Sequence, residues 1–231
     1  MSHTISAALD NPVWSALTMR QGHLGQSAGV ARRYLPDVAP FAGIEQESEA
    51  AFDRLRELVI PDEALAVLSK RRLDPIDGLQ LTYAGALHQM VAVNNDVKGT
   101  DTHDVIRLTR TDVPDMLDLA RRTKPGPFAK RTQEMGSYIG IRNQGRLVAM
   151  AGERMHLDGY VEISAVCVDD SWRGKGIAGR LMNILRVEIA QRGEIPFLHV
   201  FKHNTTAVAL YERLGFEVHR TFELTRLSRA A

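Results

Sequence analysis

The chain has one cysteine, Cys167, so an internal disulfide framework is excluded and a reducing compartment is suited. Long hydrophobic runs are also missing. No stretch approaches the roughly 20 apolar residues of a membrane span. Residues 1–29 never sustain apolar character, so no signal peptide is expected. Charge of one sign is lacking too: 29 Lys and Arg stand against 28 Asp and Glu, a net of +1. No global field therefore recruits nucleic acid or an anionic membrane. Fixed-period repeats and low-complexity tracts are absent. What remains, 231 residues at 44% hydrophobic and 25% charged, is the composition of an ordinary soluble, cytoplasmic protein of one large domain or two small ones.

The most informative stretch runs from Glu162 to Ala178. Residues 163–168 are apolar or small and rich enough in β-branched types for a mostly buried strand. After a polar turn come Arg173, Gly174, Lys175 and Gly176, and an amphipathic helical pattern begins at Ile177. A glycine-rich loop is thereby placed on a helix N-terminus. The first N–H groups of a helix have no internal partner, and its dipole puts about half a positive charge there, so an anion is stabilised. Arg173 brings a fork suited to phosphate and Lys175 a mobile point charge.

Spacing separates the phosphate loops that share this logic. No Ser or Thr follows a Gly-Lys pair at the offset a Walker loop requires. Gly174, Gly176 and Gly179 do satisfy the dinucleotide fingerprint, with Glu194 twenty residues after Gly174. That acid should close the second strand of a doubly wound sheet, yet it precedes the strand at 197–201, and too little chain follows for the remaining strands. An NAD-dependent oxidoreductase is set aside on that ground.

The same residues read Arg173-x-x-Gly176-x-Ala178, which resembles the pyrophosphate-binding signature of the GNAT N-acetyltransferase superfamily. About thirty residues on, Asn204, Ala207, Leu210, Tyr211, Gly215 and Phe216 resemble that family's next strand-to-helix element. The resemblance covers about residues 104–228. Within it, residues 124–128 and 147–168 look like the branch related to glycine N-acyltransferases.

The resemblance implies an α/β fold, an α+β mixed sheet in the order β-α-β-β-β-α-β-α-β that splays open around the cofactor. Periodicity in the residues agrees. A strand is expected over 105–108, a helix over 114–122 opened by Thr111 and Pro114, and a hairpin of 138–142 with 147–155 about Gly145. A helix runs from Ile177 to a stop at Gly193, a strand covers 197–201, a helix is capped by Asn204 or Thr205, and a closing strand spans 217–224. The polar stretch 94–104 is read as a boundary between a smaller N-terminal α/β lobe, 1–98, and a GNAT-like domain, 104–231. In the lobe, helices are expected over 50–59 and, from Pro61, over 61–68, with one or two strands over 79–93. His23 and His88 are candidates for an acceptor pocket.

As an N-acetyltransferase the chain is expected to use acetyl-CoA as co-substrate and no metal. The pyrophosphate would lie on Arg173, Gly174, Lys175, Gly176, Ile177, Ala178 and Gly179. The pantetheine would run along Val166, Cys167 and Val168 like an added strand, with Asn204 as a further contact. An amine, small molecule or peptide, attacks the thioester directly in a ternary complex. Glu162 is the candidate base, on the strand face it shares with Ser164, Val166 and Val168 if no bulge intervenes; Glu153 and His156 are rivals. Tyr211 matches the family's tyrosine that protonates the leaving thiolate. An acyl-cysteine at Cys167 is rejected, because an apolar strand raises a thiol's pKa. A non-catalytic acyl-CoA sensor is the alternative function, and a homodimer is a possible assembly.

Overall fold

A computed structural model describes residues 7–93 and 101–230. In chain order the elements are α1 (Pro12–Thr18), β1 (Gly25–Ala28), β2 (Ala31–Tyr34), β3 (Phe41–Ile44), α2 (Glu49–Glu57), β4 (Leu65–Ser69) and β5 (Leu79–Ala92). There follow β6 (Val105–Leu108), α3 (Val113–Thr123), β7 (Tyr138–Asn143), β8 (Arg146–Leu157), β9 (Tyr160–Val168), α4 (Ile177–Gln191), β10 (Ile195–Phe201), α5 (Thr205–Arg213) and β11 (Phe216–Arg229). The strands form one mixed sheet in the order β1-β2-β3-β4-β11-β5-β10-β9-β8-β7-β6.

Local chemistry sets most of these boundaries. Ser48 opens α2 by accepting from the Ala51 N–H at 3.2 Å, and Pro114 lies in the first turn of α3. Gln144 and Gly145, at φ 47° and 82°, make the two-residue turn between β7 and β8; positive φ at both positions matches the strands' twist. Gly193 and Gly215, at φ 77° and 78°, follow the ends of α4 and α5. Inside the sheet, Leu181, Leu185 and Ile189 of α4 pack on Ala149, Ala151, Val161 and Ile163 in one buried cluster.

Topology carries an approximate internal two-fold. In the C-terminal half β9 and β10 run parallel and are joined by α4; in the N-terminal half β3 and β4 run parallel and are joined by α2. Each half's last strand is inserted beyond the other's: β5 pairs with β10, β11 pairs with β4, and β5 and β11 pair with each other along 14 residues each. The boundary expected within 94–104 falls largely outside the described residues.

One element differs from expectation. Pro61 at a first helical position predicts a helix over 61–68, but Leu65–Ser69 is β4, pairing with β3 and β11. Its Leu65, Ala66 and Val67 are buried, and two strand partners outweigh the local helix signal. Residues 79–92 form one long strand, the option that spans both candidate strands.

Two irregularities shape the centre. Met150 opposes Cys167 while Gly152 opposes Ser164, so β9 carries an extra residue there; Ala165 takes it up at φ 51°. Further down, Glu153 opposes Ile163 and His156 opposes Val161, so Arg154 and Met155 bulge opposite Glu162. On its other side β9 pairs with β10 only through Ile195–Tyr160, Pro196–Val161 and Phe197–Glu162. Beyond those three pairs no ladder joins the two strands, and the sheet opens.

Candidate active site

A cavity of about 1550 Å³ fills that opening. Ser164, Val166, Cys167 and Val168 of β9 line one side, and His199, Val200 and Phe201 of β10 the other. Arg173, Gly174 and the start of α4 form one end; Asn204, Leu210 and Tyr211 flank it from α5. Residues 124–128 also line it, entered through Lys124 at φ 51° after α3. The N-terminal half completes the wall with Phe41, Ala66, Leu68 and Leu87.

At the loop, Gly174 and Gly176 have φ of 76° and 74°, and a Cβ on either would meet no atom within 4 Å. Positive φ is open to glycine without the Cβ penalty, and the open space leaves the backbone approachable. The first in-helix bond of α4 is Arg180 N–H to Gly176 C=O at 3.1 Å, so the N–H groups of Ile177, Ala178 and Gly179 precede it. A pyrophosphate fits such a set of donors. Lys175 Nζ lies 4.3 Å from the Trp172 ring centroid.

The two acids before the loop are held locally. Asp169 accepts from Ser171 N–H and Oγ–H at 3.2 and 2.7 Å and pairs with Arg122. The Ser171 donors and Arg122 hold its pKa below the ordinary carboxylate value. Asp170 pairs with Arg173 at 2.7 Å in a solvent-exposed contact. Such a pair is worth little. Its guanidinium is available to a phosphate.

Strand β9 delivers its remaining candidates differently from simple alternation. Val166, Cys167 and Val168 reach the cavity, but Glu162 does not: it is fully buried beneath Arg154 and His199. Arg154 donates to both its oxygens, Nη2 to Oε1 at 2.6 Å and Nε to Oε2 at 2.8 Å. His199 Nδ1 lies 2.7 Å from Oε1. Burial alone would raise the Glu162 pKa, but the charge and hydrogen bonds of Arg154, with His199, outweigh it and hold the carboxyl well below its ordinary value. Arg154 and His199 themselves line the cavity. Glu162 thus stands behind the wall it was expected to form, covered by Arg154 and His199, whereas Ser164, on the same side of the bulge, does line the cavity.

His199 went unnoticed in the sequence. Glu162 requires a proton on its Nδ1, and Gln89 Nε2 approaches its Nε2 at 3.3 Å while also donating to Leu9 C=O at 3.1 Å. These partners assign the Nε2 lone pair to the amide side. A lone histidine at the centre of the apolar strand Phe197–Phe201 was the available signal. Tyr211 faces the cavity from α5, packed edge-on against Phe216 at 6.3 Å, and burial raises its phenol pKa, keeping it protonated at neutral pH. Asn204 caps α5 by accepting from Ala207 N–H at 3.2 Å. Cys167 is buried, and burial pushes its thiol up to about 11.

The rivals lie elsewhere. Glu153 and His156 line a separate polar cleft with Arg192 and Glu194; Glu153 pairs with Arg192 at 2.8 Å and His156 at 3.3 Å. Neither His23 nor His88 lines the central cavity, and His88 bonds Thr221 at 2.9 Å. Among the described residues no group of three or more His, Cys, Asp or Glu is placed to hold a metal, and no helix is long and apolar enough to cross a membrane.

A mixed sheet parted beside a glycine-rich helix start, with a protonated tyrosine across the gap, defines an acyl-CoA transferase class. The family model described as FR47-like protein matches residues 138–225. The N-alpha-acetyltransferase RimI of Mycobacterium tuberculosis is 34% identical over 122 residues, covering 48% of this chain and 75% of that protein. An uncharacterized protein of Mycobacterium leprae is 36% identical over 100 residues, 40% of this chain but 27% of that relative's length. The crystal structure of a putative GNAT-family acetyltransferase from Novosphingobium aromaticivorans superposes with a TM-score of 0.90 at 35% identity, covering 98% of this chain and 100% of that one. The chain belongs to the GNAT N-acetyltransferase superfamily, whose acetyltransferases use acetyl-CoA.

Proposed function

We propose that the protein transfers an acetyl group from acetyl-CoA to a primary amine by direct attack in a ternary complex. The observation that carries this reading is the parting of β9 from β10 after Phe197, with the Gly174–Gly176 loop at one end of the gap and Tyr211 and His199 facing it. Loop donors and Arg173 take the pyrophosphate, and the free edge of Val166–Val168 takes the pantetheine as a strand would.

The amine nitrogen adds to the thioester carbonyl, its proton passes to a water in the cavity, and the C–S bond breaks. Tyr211 gives its phenolic proton to the departing thiolate. Glu162 acts through Arg154 and His199, holding both side chains at the cavity wall; it is a positioning residue. The demand on a base depends on the acceptor. At pH 7 a lysine-like amine near ~10.4 is neutral in about one molecule in 2500, an α-amine near ~7.8 in more than a tenth. An α-amine, the group named for the Mycobacterium tuberculosis relative, suits a site in which water takes the proton.

Calorimetric titration with acetyl-CoA, with NAD as control, followed by thiol release against amino acids, polyamines and peptides tests the reading. Binding with acceptor-dependent release supports it. Binding with no release, unchanged in H199Q, favours the acyl-CoA sensor; absence of acetyl-CoA binding overturns both.

A further inference from the structure

The cavity carries a charge imbalance of which the transfer chemistry uses only part. Six cationic side chains line the cavity, Arg121, Lys124, Arg154, Arg173, Arg213 and Arg226, and among the described residues no Asp or Glu does. Acetyl-CoA accounts for part of this, since its phosphates need cations near the loop and α3. Arg154 is neutralised by Glu162. Arg226 has neither role: it is exposed on β11, opposite Ala66 of β4 and Thr82 of β5, with no carboxylate partner among the described residues, on the wall contributed jointly with the N-terminal half.

The surface leading to it is apolar. Phe222 of β11 has its ring 6.0 Å from that of His199, and Arg226 lies four residues further along the same strand. At ~3.3 Å per residue the two positions are about 13 Å apart, less once the arginine side chain extends. Leu224, Leu68 and Leu87 line the cavity between them. A polyamine or a lysine-rich acceptor would meet cations here with nothing to balance its own charge.

We infer that the acceptor is an extended amine, such as a peptide N-terminus, with an apolar portion and then an anionic group roughly 10 Å from the reacting nitrogen, the anion pairing with Arg226. This rests on the transferase reading above. Arg226 selects the acceptor and does not touch the reacting atoms.

Three peptide amides, Ala-Leu-Glu, Ala-Leu-Gln and Ala-Leu-Lys, serve as probes in the thiol-release assay with wild type and Arg226→Glu. Wild type is expected to favour the Glu peptide over the Lys peptide at least tenfold in kcat/KM, with Gln between. Arg226→Glu should reverse the order and leave the acetyl-CoA Kd, read by calorimetry, within twofold. Equal rates for the three peptides, a Lys preference in wild type, or a charge reversal that weakens acetyl-CoA instead overturns the inference while leaving the transferase intact. No release from any acceptor together with no acetyl-CoA binding marks failure of the transferase reading itself.

Discussion

The two halves of the sheet are built alike and equipped differently. In both, a parallel strand pair is joined by a helix, β3-α2-β4 in one and β9-α4-β10 in the other. At the start of α4 stand Arg173, Gly174, Lys175 and Gly176, both glycines in the left-handed region. At the corresponding start of α2 stand Glu45, Glu47 and Glu49, and the Ser48 hydroxyl already occupies a first-turn N–H. Carboxylates there repel phosphate and the cap takes one of its donors. Among the described residues the N-terminal half has no helix corresponding to α5, and so no tyrosine placed as Tyr211 is. A helix N-terminus between parallel strands is therefore not expected to suffice for cofactor binding; the residues preceding it are expected to decide. Its contribution to the site is instead a wall, through Phe41, Ala66, Leu68 and Leu87.

The buried ions give the sharpest contrast. Glu162→Gln leaves Arg154 buried without its counter-charge and is expected to cost about 3–5 kcal/mol in denaturant unfolding. Glu63→Gln, beside buried Arg33, should cost under about 1 kcal/mol. Glu63 is 38% exposed, and Arg33 keeps the carbonyls of Leu58 and Tyr34 as acceptors. The Glu162 carboxyl titrates lower folded than unfolded, so its contribution is complete above the unfolded value near ~4.3 and is lost as pH falls below it. Wild type should lose stability steeply below about pH 4, and Glu162→Gln less steeply over the same range.

Next in size is Tyr211→Phe. Loss of the proton donor is expected to lower kcat about a hundredfold. Acetyl-CoA affinity in calorimetry should stay within twofold. A third test addresses the loop: Gly176→Val forces a β-branched residue to φ 74°, at a cost of about 1–3 kcal/mol where the backbone must stay in place. Acetyl-CoA should bind about 5- to 150-fold more weakly, by the same free energy. The smallest effect belongs to the other half. Ser48→Ala removes the α2 cap, which should cost about 1 kcal/mol in thermal unfolding without changing acetyl-CoA affinity. An affinity change there would mean that the α2 start takes part in binding after all.

Legibility in the sequence followed how local the cause was. The strand at 105–108, the turn at Gln144–Gly145, the cap at Asn204 and the glycine-rich loop that opens α4 are each set by a few adjacent residues, and each was readable. The helix expected from Pro61 was not, because β4 exists through its partners β3 and β11, one of them about 150 residues away in sequence. The bulge at Ala165 left no residue signal: an alanine at φ 51° is held there by the ladder around it. That one inserted residue breaks the alternation expected to set Glu162 on one face with Val166 and Val168, while Arg154 and His199 cover Glu162 itself. His199 itself was passed over because one histidine in an apolar strand has no partner until the fold brings Glu162 and Gln89 to it.

The loop before α4, and not the fold shared with the N-terminal half, is expected to create the acetyl-CoA site. Calorimetric titration of acetyl-CoA against wild type and Gly176→Val tests it most directly. Saturable micromolar binding by wild type that weakens strongly in the variant is the predicted result. Equal binding by both proteins, or none by wild type, would contradict it.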